Sequence, residues 1–201
     1  MGVPLATRSF IARPVSFGSG FGYTGIHVQF DGVPSHHLPL LLAAFRWRFA
    51  RDLHALKRHL IDDVATGWES LGTDLLGGAP HSVIQTLAGG EHRPSRTLDV
   101  ITLDGSPPAR MTVMEATADA LDMEWGYILH SYGIEVISLL HEDIGPLVDW
   151  NTDPRSVFND DPALWHTSAL PPITAPTPPT PPANAVTAVA NRARPRPARS
   201  R

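Results

Sequence analysis

Apolar and polar residues alternate most cleanly over Tyr23–Phe30, where Ile26, Val28 and Phe30 share one side and His27 and Gln29 the other. That period of two predicts a half-buried strand, and the Asp31-Gly32 turn pair ends it. The period then changes. Leu38, Leu41, Leu42, Phe45 and Phe49 recur at helical spacing and predict a helix from a Ser35 N-cap to about Ala50, with Pro39 in its first turn. Asp52 reads as the cap of a second helix with Leu53, Leu56, Leu60, Ile61 and Val64 on its buried side, ended by Gly67. Beyond it, His81–Ala88 and Thr97–Leu103 read as strands, and Thr112 starts a short helix through Met123 with a capping-box Glu115. Trp125–His130 and Ile134–Leu139, joined across Ser131-Tyr132-Gly133, have the form of a hairpin. Glu142–Asn151 reads as irregular or as one short helix broken near Pro146, and residues 151–167 as a loose wrap anchored by Phe158 and Trp165.

These elements predict an α+β fold, a small antiparallel sheet packed against two or three short helices, within one acidic domain at residues 23–167. Residues 1–22, rich in Gly, Pro and Ser, read as a flexible N-terminal segment. Gly18, Gly20 and Gly22 alternate there, but a strand rather than a helix follows, so the run does not make a phosphate loop. Residues 168–201 read as a disordered tail. Its first part, Pro171–Pro182, has the composition of a stiff polyproline II linker, and its last part is Arg-rich.

Charge sharpens the division. The 201-residue chain has a formal net charge of −4, and the tail carries five arginines (Arg192, Arg194, Arg196, Arg199 and Arg201) and no acid, which leaves −9 on residues 1–167. An acidic body repels polyanions, while the tail attracts them by counterion release, weakly and without sequence preference. The tail arginines are therefore the candidate polyanion-binding residues, and weak nucleic-acid contact through them is one expected partnership. A protein partner is another.

The chain has no cysteine, which excludes thiolate nucleophiles, disulfides and Cys-based zinc sites and fits a reducing cytoplasm. Its longest apolar run, Leu38–Phe45, is too short for a membrane span, so no membrane partner is expected. Lys57 is the sole lysine against 16 Lys and Arg together, and with the Ala, Pro and Gly richness this suggests a high-GC, actinobacterial-type genome.

Candidate chemistry is sparse. His59, Asp62 and Asp63 stand at i, i+3 and i+4, the spacing that puts imidazole and carboxylates on one helical face for a zinc, manganese or iron ion, with His36, His37 or His54 as further ligands. A solvated face in which Lys57 and Arg58 pair the aspartates explains the same spacing. His141-Glu142-Asp143 is a second acidic cluster, at a strand exit. Asp31, between a strand and a helix, sits where active-site acids and ordinary turn aspartates both occur. Gly18-Ser19-Gly20 lacks the elbow context of a nucleophilic serine. Trp47 falls partly off the first helix's stripe and marks either a partner patch or a second packing face. No catalytic, metal or cofactor residue is assigned on these grounds, and no cofactor is expected.

Gly25-Ile-His-Val-Gln-Phe-Asp-Gly-Val-Pro34, two helices ending Arg58-His-Leu-Ile61, and the late Glu124-Trp-Gly-Tyr-Ile-Leu129 segment together resemble a group of small uncharacterised proteins of phages, plasmids and actinobacterial genomes. Their strand reads roughly Tyr-Val-His-Trp-Asp-Gly-Tyr-Pro. Asp31, Gly32 and Pro34 match it, whereas Gln29, Phe30 and Val33 stand in place of its His, Trp and Tyr. The resemblance spans about residues 24–150 and implies an α+β domain in a mobile-element context, with no activity attached. The expected function is thus a non-enzymatic accessory, regulatory or interaction protein of the cytoplasm. A small metal-dependent or acid–base enzyme is the alternative from another class.

Overall fold

The computed structural model describes residues 7–17, 20–98, 111–112, 122–139, 143–161 and 164. By its internal contacts the chain divides into Met1–Ser168 and Ala169–Arg201, and every described residue belongs to the first unit.

The fold is α+β, and the described residues form eight strands in the order β4-β3-β2-β1-β6-β7-β8, with β5 alongside β2. They are β1 (Arg8–Phe17), β2 (Gly20–Val28), β3 (Trp68–Ser70), β4 (Arg96–Thr97), β5 (Met111–Thr112), β6 (Met123–Leu129), β7 (Gly133–Ser138) and β8 (Asp143–Asp149). The sheet is mixed, not purely antiparallel as the sequence suggested. β1 runs parallel to β6 and β2 parallel to β3, while the remaining pairings are antiparallel. The parallel β2–β3 step has a clear cause. Parallel neighbours need a long crossover, and the two helices supply it.

The largest correction concerns the N-terminus. Residues 8–17, expected to be flexible, form β1 at the centre of the sheet, paired from Ser9↔Val28 to Phe17↔Gly20 on one side and with β6 on the other. A central strand is buried on both faces, so its apolar residues do not alternate with polar ones and the period-two signal vanishes. Ile11 belongs to the core beneath the helices, while Phe10 and Ala12 join Met123 and Ile128 on the opposite face. Pro14 is tolerated because the ladder to β6 ends at Ala12↔Ile128.

Helix α1 (Pro34–Ala43) continues through a π-helical stretch, Ala44–Arg48, and α2 (Leu53–Lys57) through another, Arg58–Asp62. Leu38, Leu41, Leu42, Leu56, Leu60 and Ile61 are fully buried against Ile11, Ile26, Val28, Trp125 and Tyr127 of the sheet, as their spacing predicted. Asp52 caps α2 by accepting from the His54 and Ala55 amides at 2.9 and 3.0 Å. Ser35, by contrast, is not the cap of α1. The helix begins at Pro34, and the Ser35 amide and hydroxyl both donate to the Asp160 carboxylate at 2.8 Å. Asp160 lies on a strap that leaves β8 at Trp150, is fastened by Arg46 to the Asn151 and Thr152 carbonyls, and sets Phe158 against the core.

Three further expectations change. His81–Ala88 is a helix, α3, because Val83, Ile84 and Leu87 repeat at helical spacing and Gly89 ends the turn in the left-handed conformation (φ 57°). Asp143–Asp149 is the strand β8, and Pro146 sits where the β7–β8 register slips between Glu135↔Leu147 and Ile137↔Ile144. Of the helix expected from Thr112 to Met123, both ends are strand, and residues 113–121 lie outside the described residues. Most of the Thr97–Leu103 strand, and Trp165, lie outside them too. The hairpin is present as β6 and β7.

Candidate functional site

The Asp31-Gly32 turn is the joint between β2, α1, β1 and β6. Asp31 adopts a left-handed φ of 58°, the Gly32 amide donates to the Thr7 carbonyl at 2.9 Å, and the Gly32 carbonyl accepts from the Tyr127 hydroxyl at 2.7 Å. A Cβ at Gly32 would lie 2.7 Å from the Ser9 side chain, so only glycine fits. Pro34 then opens α1. Beneath the joint, the His37 ring stacks on Tyr127 (centroids 5.1 Å apart, 14° between planes), with Nε2 at 3.5 Å from the Ser9 hydroxyl and Nδ1 without a hydrogen-bond partner. Burial, reinforced by neighbouring His36 and opposed by the Asp31 backbone, lowers the His37 pKa to about 3 and keeps the ring neutral. Burial also raises the Tyr127 phenol well above its ordinary value. A serine beside a neutral histidine has the constituents of a nucleophile and its base. Here both are fully buried, and the pair serves packing. Asp31 contributes backbone conformation to this joint, and its side chain is exposed.

The His59, Asp62 and Asp63 trio does not converge. From Arg58 to Asp62 the helix winds in π geometry, with the Asp63 amide bonded to the Arg58 carbonyl at 2.8 Å, so the i, i+3, i+4 alignment of an α-helix is lost. His59 packs between Phe49 and Trp68, at 5.3 and 5.9 Å between centroids, and burial followed by the Arg48 charge lowers its pKa. Asp62 instead accepts from Arg13 Nη2 and Nε at 3.0 and 3.1 Å, while Asp63 is exposed. His36 points Nε2 at the Leu71 carbonyl (3.4 Å), and His54 is exposed. Among the described residues no three His, Asp or Glu side chains are placed to hold a metal ion. His141 and Glu142 lie outside those residues.

One other polar group, Asp74, is spent on the scaffold. Asp74 receives the Ser95 amide and hydroxyl at 2.6 Å each and Arg48 Nη1 at 2.7 Å. Burial alone would raise this carboxyl, but the Ser95 and Arg48 bonds outweigh it and hold its pKa below the ordinary value. Trp47 packs partly buried against the core, with the Arg46 guanidinium 5.4 Å from its ring.

A further titratable cluster in contact with solvent lies at the hairpin end. At the β6–β7 turn, Tyr132 stacks on His130 (4.9 Å, 12°) and is 47% exposed. His130 Nε2 lies 2.6 Å from the Glu135 carboxylate, and its backbone carbonyl accepts from Trp150 Nε1 at 2.9 Å. Tyr23 of β2 completes the group: its phenol is raised by burial, then by the Glu135 and Tyr132 charges. Glutamate, imidazole and two phenols are thus gathered at one end of the sheet. An exposed ring held from behind can anchor a partner. The sequence showed the hairpin but not this cluster. The signal lay in the register: Glu135 pairs with Ile128, which puts it on the same sheet face as His130, two residues further along the chain.

Comparison of the chain with family models, curated proteins and solved structures yields no match. Arg192, Arg194, Arg196, Arg199 and Arg201 lie outside the described residues. No helix among the described residues is long and apolar enough to cross a membrane.

Proposed function

We propose that the chain is a non-enzymatic interaction protein of the cytoplasm, an accessory factor of the mobile-element kind, which docks a protein partner through the hairpin end. The observation that carries this reading is Tyr132, nearly half exposed yet held flat on a histidine that Glu135 fixes at 2.6 Å. A rigid aromatic loses little entropy on binding, and such residues dominate interface energies. Asp62, Asp74, His37 and His59 support it by contrast, since each is engaged with neighbours within the fold.

In extract of an actinobacterial host the full chain should elute as a complex larger than itself, and Tyr132→Ala should return it to its own elution volume with its unfolding midpoint unchanged. A wild-type chain that elutes alone, or a complex indifferent to Tyr132→Ala, contradicts the reading.

The five tail arginines favour a second reading, weak polyanion binding. Retention on DNA at low salt should then vanish when residues 183–201 are deleted, and retention by the truncated chain would refute it.

A further inference from the structure

The negative charge of residues 1–167 is not spread evenly along the chain. Residues 111–154 carry nine of the 20 acids and no lysine or arginine. In the rest of residues 1–167, 11 acids stand against 11 basic residues and balance them. The whole acidic excess therefore lies in the segment that supplies β5, β6, β7 and β8. Two of its acids have basic partners from outside the segment, Asp122 with Arg8 at 3.1 Å and Asp153 with Arg155 at 2.6 Å.

Tyr132 stands within this segment. One face of its ring lies on His130 (4.9 Å, 12°), and with 47% of the residue exposed the other face meets solvent. Two carboxylates sit on the sheet face beside it. Glu135 lies 2.6 Å from His130 Nε2. Asp149, exposed, pairs with Gly133, the residue after Tyr132, on the same face as Glu135, and the Asn151 amide donates to its Oδ1 at 2.6 Å. The face of an aromatic ring is electron-rich, and among carboxylates it attracts a cation. A guanidinium suits it better than an ammonium, being planar, weakly hydrated and able to lie on the ring while it meets a carboxylate. Acidic surroundings also steer a basic partner in and reject an acidic one.

We propose that the hairpin end binds an arginine of a basic protein segment, with the guanidinium flat on the open face of Tyr132 and Asp149 and Glu135 supplying the opposing charge. The assignment rests on the docking role of Tyr132 and adds the chemistry of what docks there.

The test titrates the isotope-labelled full-length chain with acetyl-Arg-Gly-Arg-amide and with its lysine and citrulline counterparts, read by amide signals in NMR. The arginine peptide should move Tyr132, Gly133 and Asp149 most, the lysine peptide should bind more weakly, and the uncharged citrulline peptide should not bind. Tyr132→Ala should weaken the arginine peptide about two- to fivefold, as loss of an exposed cation–π contact does, while Tyr132→Phe keeps it. Asp149→Asn should weaken it, and Asp63→Asn, at an exposed carboxylate closing the second helix, should not. Equal weakening by Asp63→Asn and Tyr132→Ala, or equal binding of the arginine and lysine peptides, overturns the proposal. So do Tyr132 shifts that appear on concentrating the chain without peptide, which would make a second copy the occupant. If the arginine peptide leaves Tyr132 untouched while Tyr132→Ala still dissolves the complex in host extract, the arginine assignment falls and the docking role stands. If Tyr132→Ala leaves that complex intact as well, both fall.

Discussion

Among the described residues a histidine stacks on a tyrosine twice, and the two pairs differ in their surroundings. His37 lies on Tyr127 at 5.1 Å and 14°, and His130 lies on Tyr132 at 4.9 Å and 12°. The inner pair is sealed, with one nitrogen of His37 unpartnered and the Tyr127 hydroxyl committed to the Gly32 carbonyl. The outer pair is backed by a carboxylate and faces solvent. Burial separates the roles. In the core the histidine is forced neutral and becomes a packing ring, while at the hairpin end the ring bonds the Glu135 carboxyl group and backs Tyr132, whose ring is accessible.

The contrast breaks most visibly with acid. The His37 pKa is about 3 in the fold against 6.5 ordinarily, so below pH 6.5 the unfolded chain takes up the proton first. The stability tied to a neutral His37 is fully present above that pH and is lost as pH falls toward 3, roughly 4 kcal/mol over the interval. His27 and His59, both lowered by burial, add to the same trend. Urea midpoints measured between pH 7 and 4 should fall steeply in the wild type and less steeply in His37→Phe.

Gly32→Ala comes next. Its methyl would press on Ser9 at 2.7 Å and on the Thr7 carbonyl at 2.8 Å. Overpacking of this kind should cost about 3 kcal/mol, read as a lower denaturant midpoint. Tyr127→Phe removes the bond to the buried Gly32 carbonyl and should cost about 1–2 kcal/mol. At the outer pair, Tyr132→Ala should shift the midpoint by no more than about 0.5 kcal/mol, as expected of an exposed side chain. If Tyr132→Ala destabilised as much as Tyr127→Phe, the two pairs would not differ as described.

What was legible in the sequence depended on local signals. The helix around Leu53–Val64 shows one face to the core and one to water, whereas Leu38–Ala44 and β6 are buried almost throughout and were read from the leucine spacing and from the Ser131-Tyr132-Gly133 turn. β1 was not, since a strand covered on both sides and interrupted by Pro14 shows no alternation. β8 was hidden by Pro146, which an edge strand with a slipped register accommodates. The metal-like spacing of His59, Asp62 and Asp63 was real in sequence, but the π-helical winding and the bond from Arg13, 49 residues away, dissolve it. The Asp31-Gly32 turn was visible as a turn, although its role as the seat of the Tyr127 hydroxyl depends on a contact 95 residues distant. No local pattern encodes such a pairing.

The central claim, that the outer pair is a docking surface and the inner one is not, is tested most directly by site-specific crosslinking. With p-benzoylphenylalanine in place of Tyr132, irradiation in a host of the proposed high-GC kind should give one discrete adduct with a second protein. The same group in place of Val157, which is 97% exposed on the strap, should give none. No adduct from position 132, or equal adducts from both positions, would contradict the account.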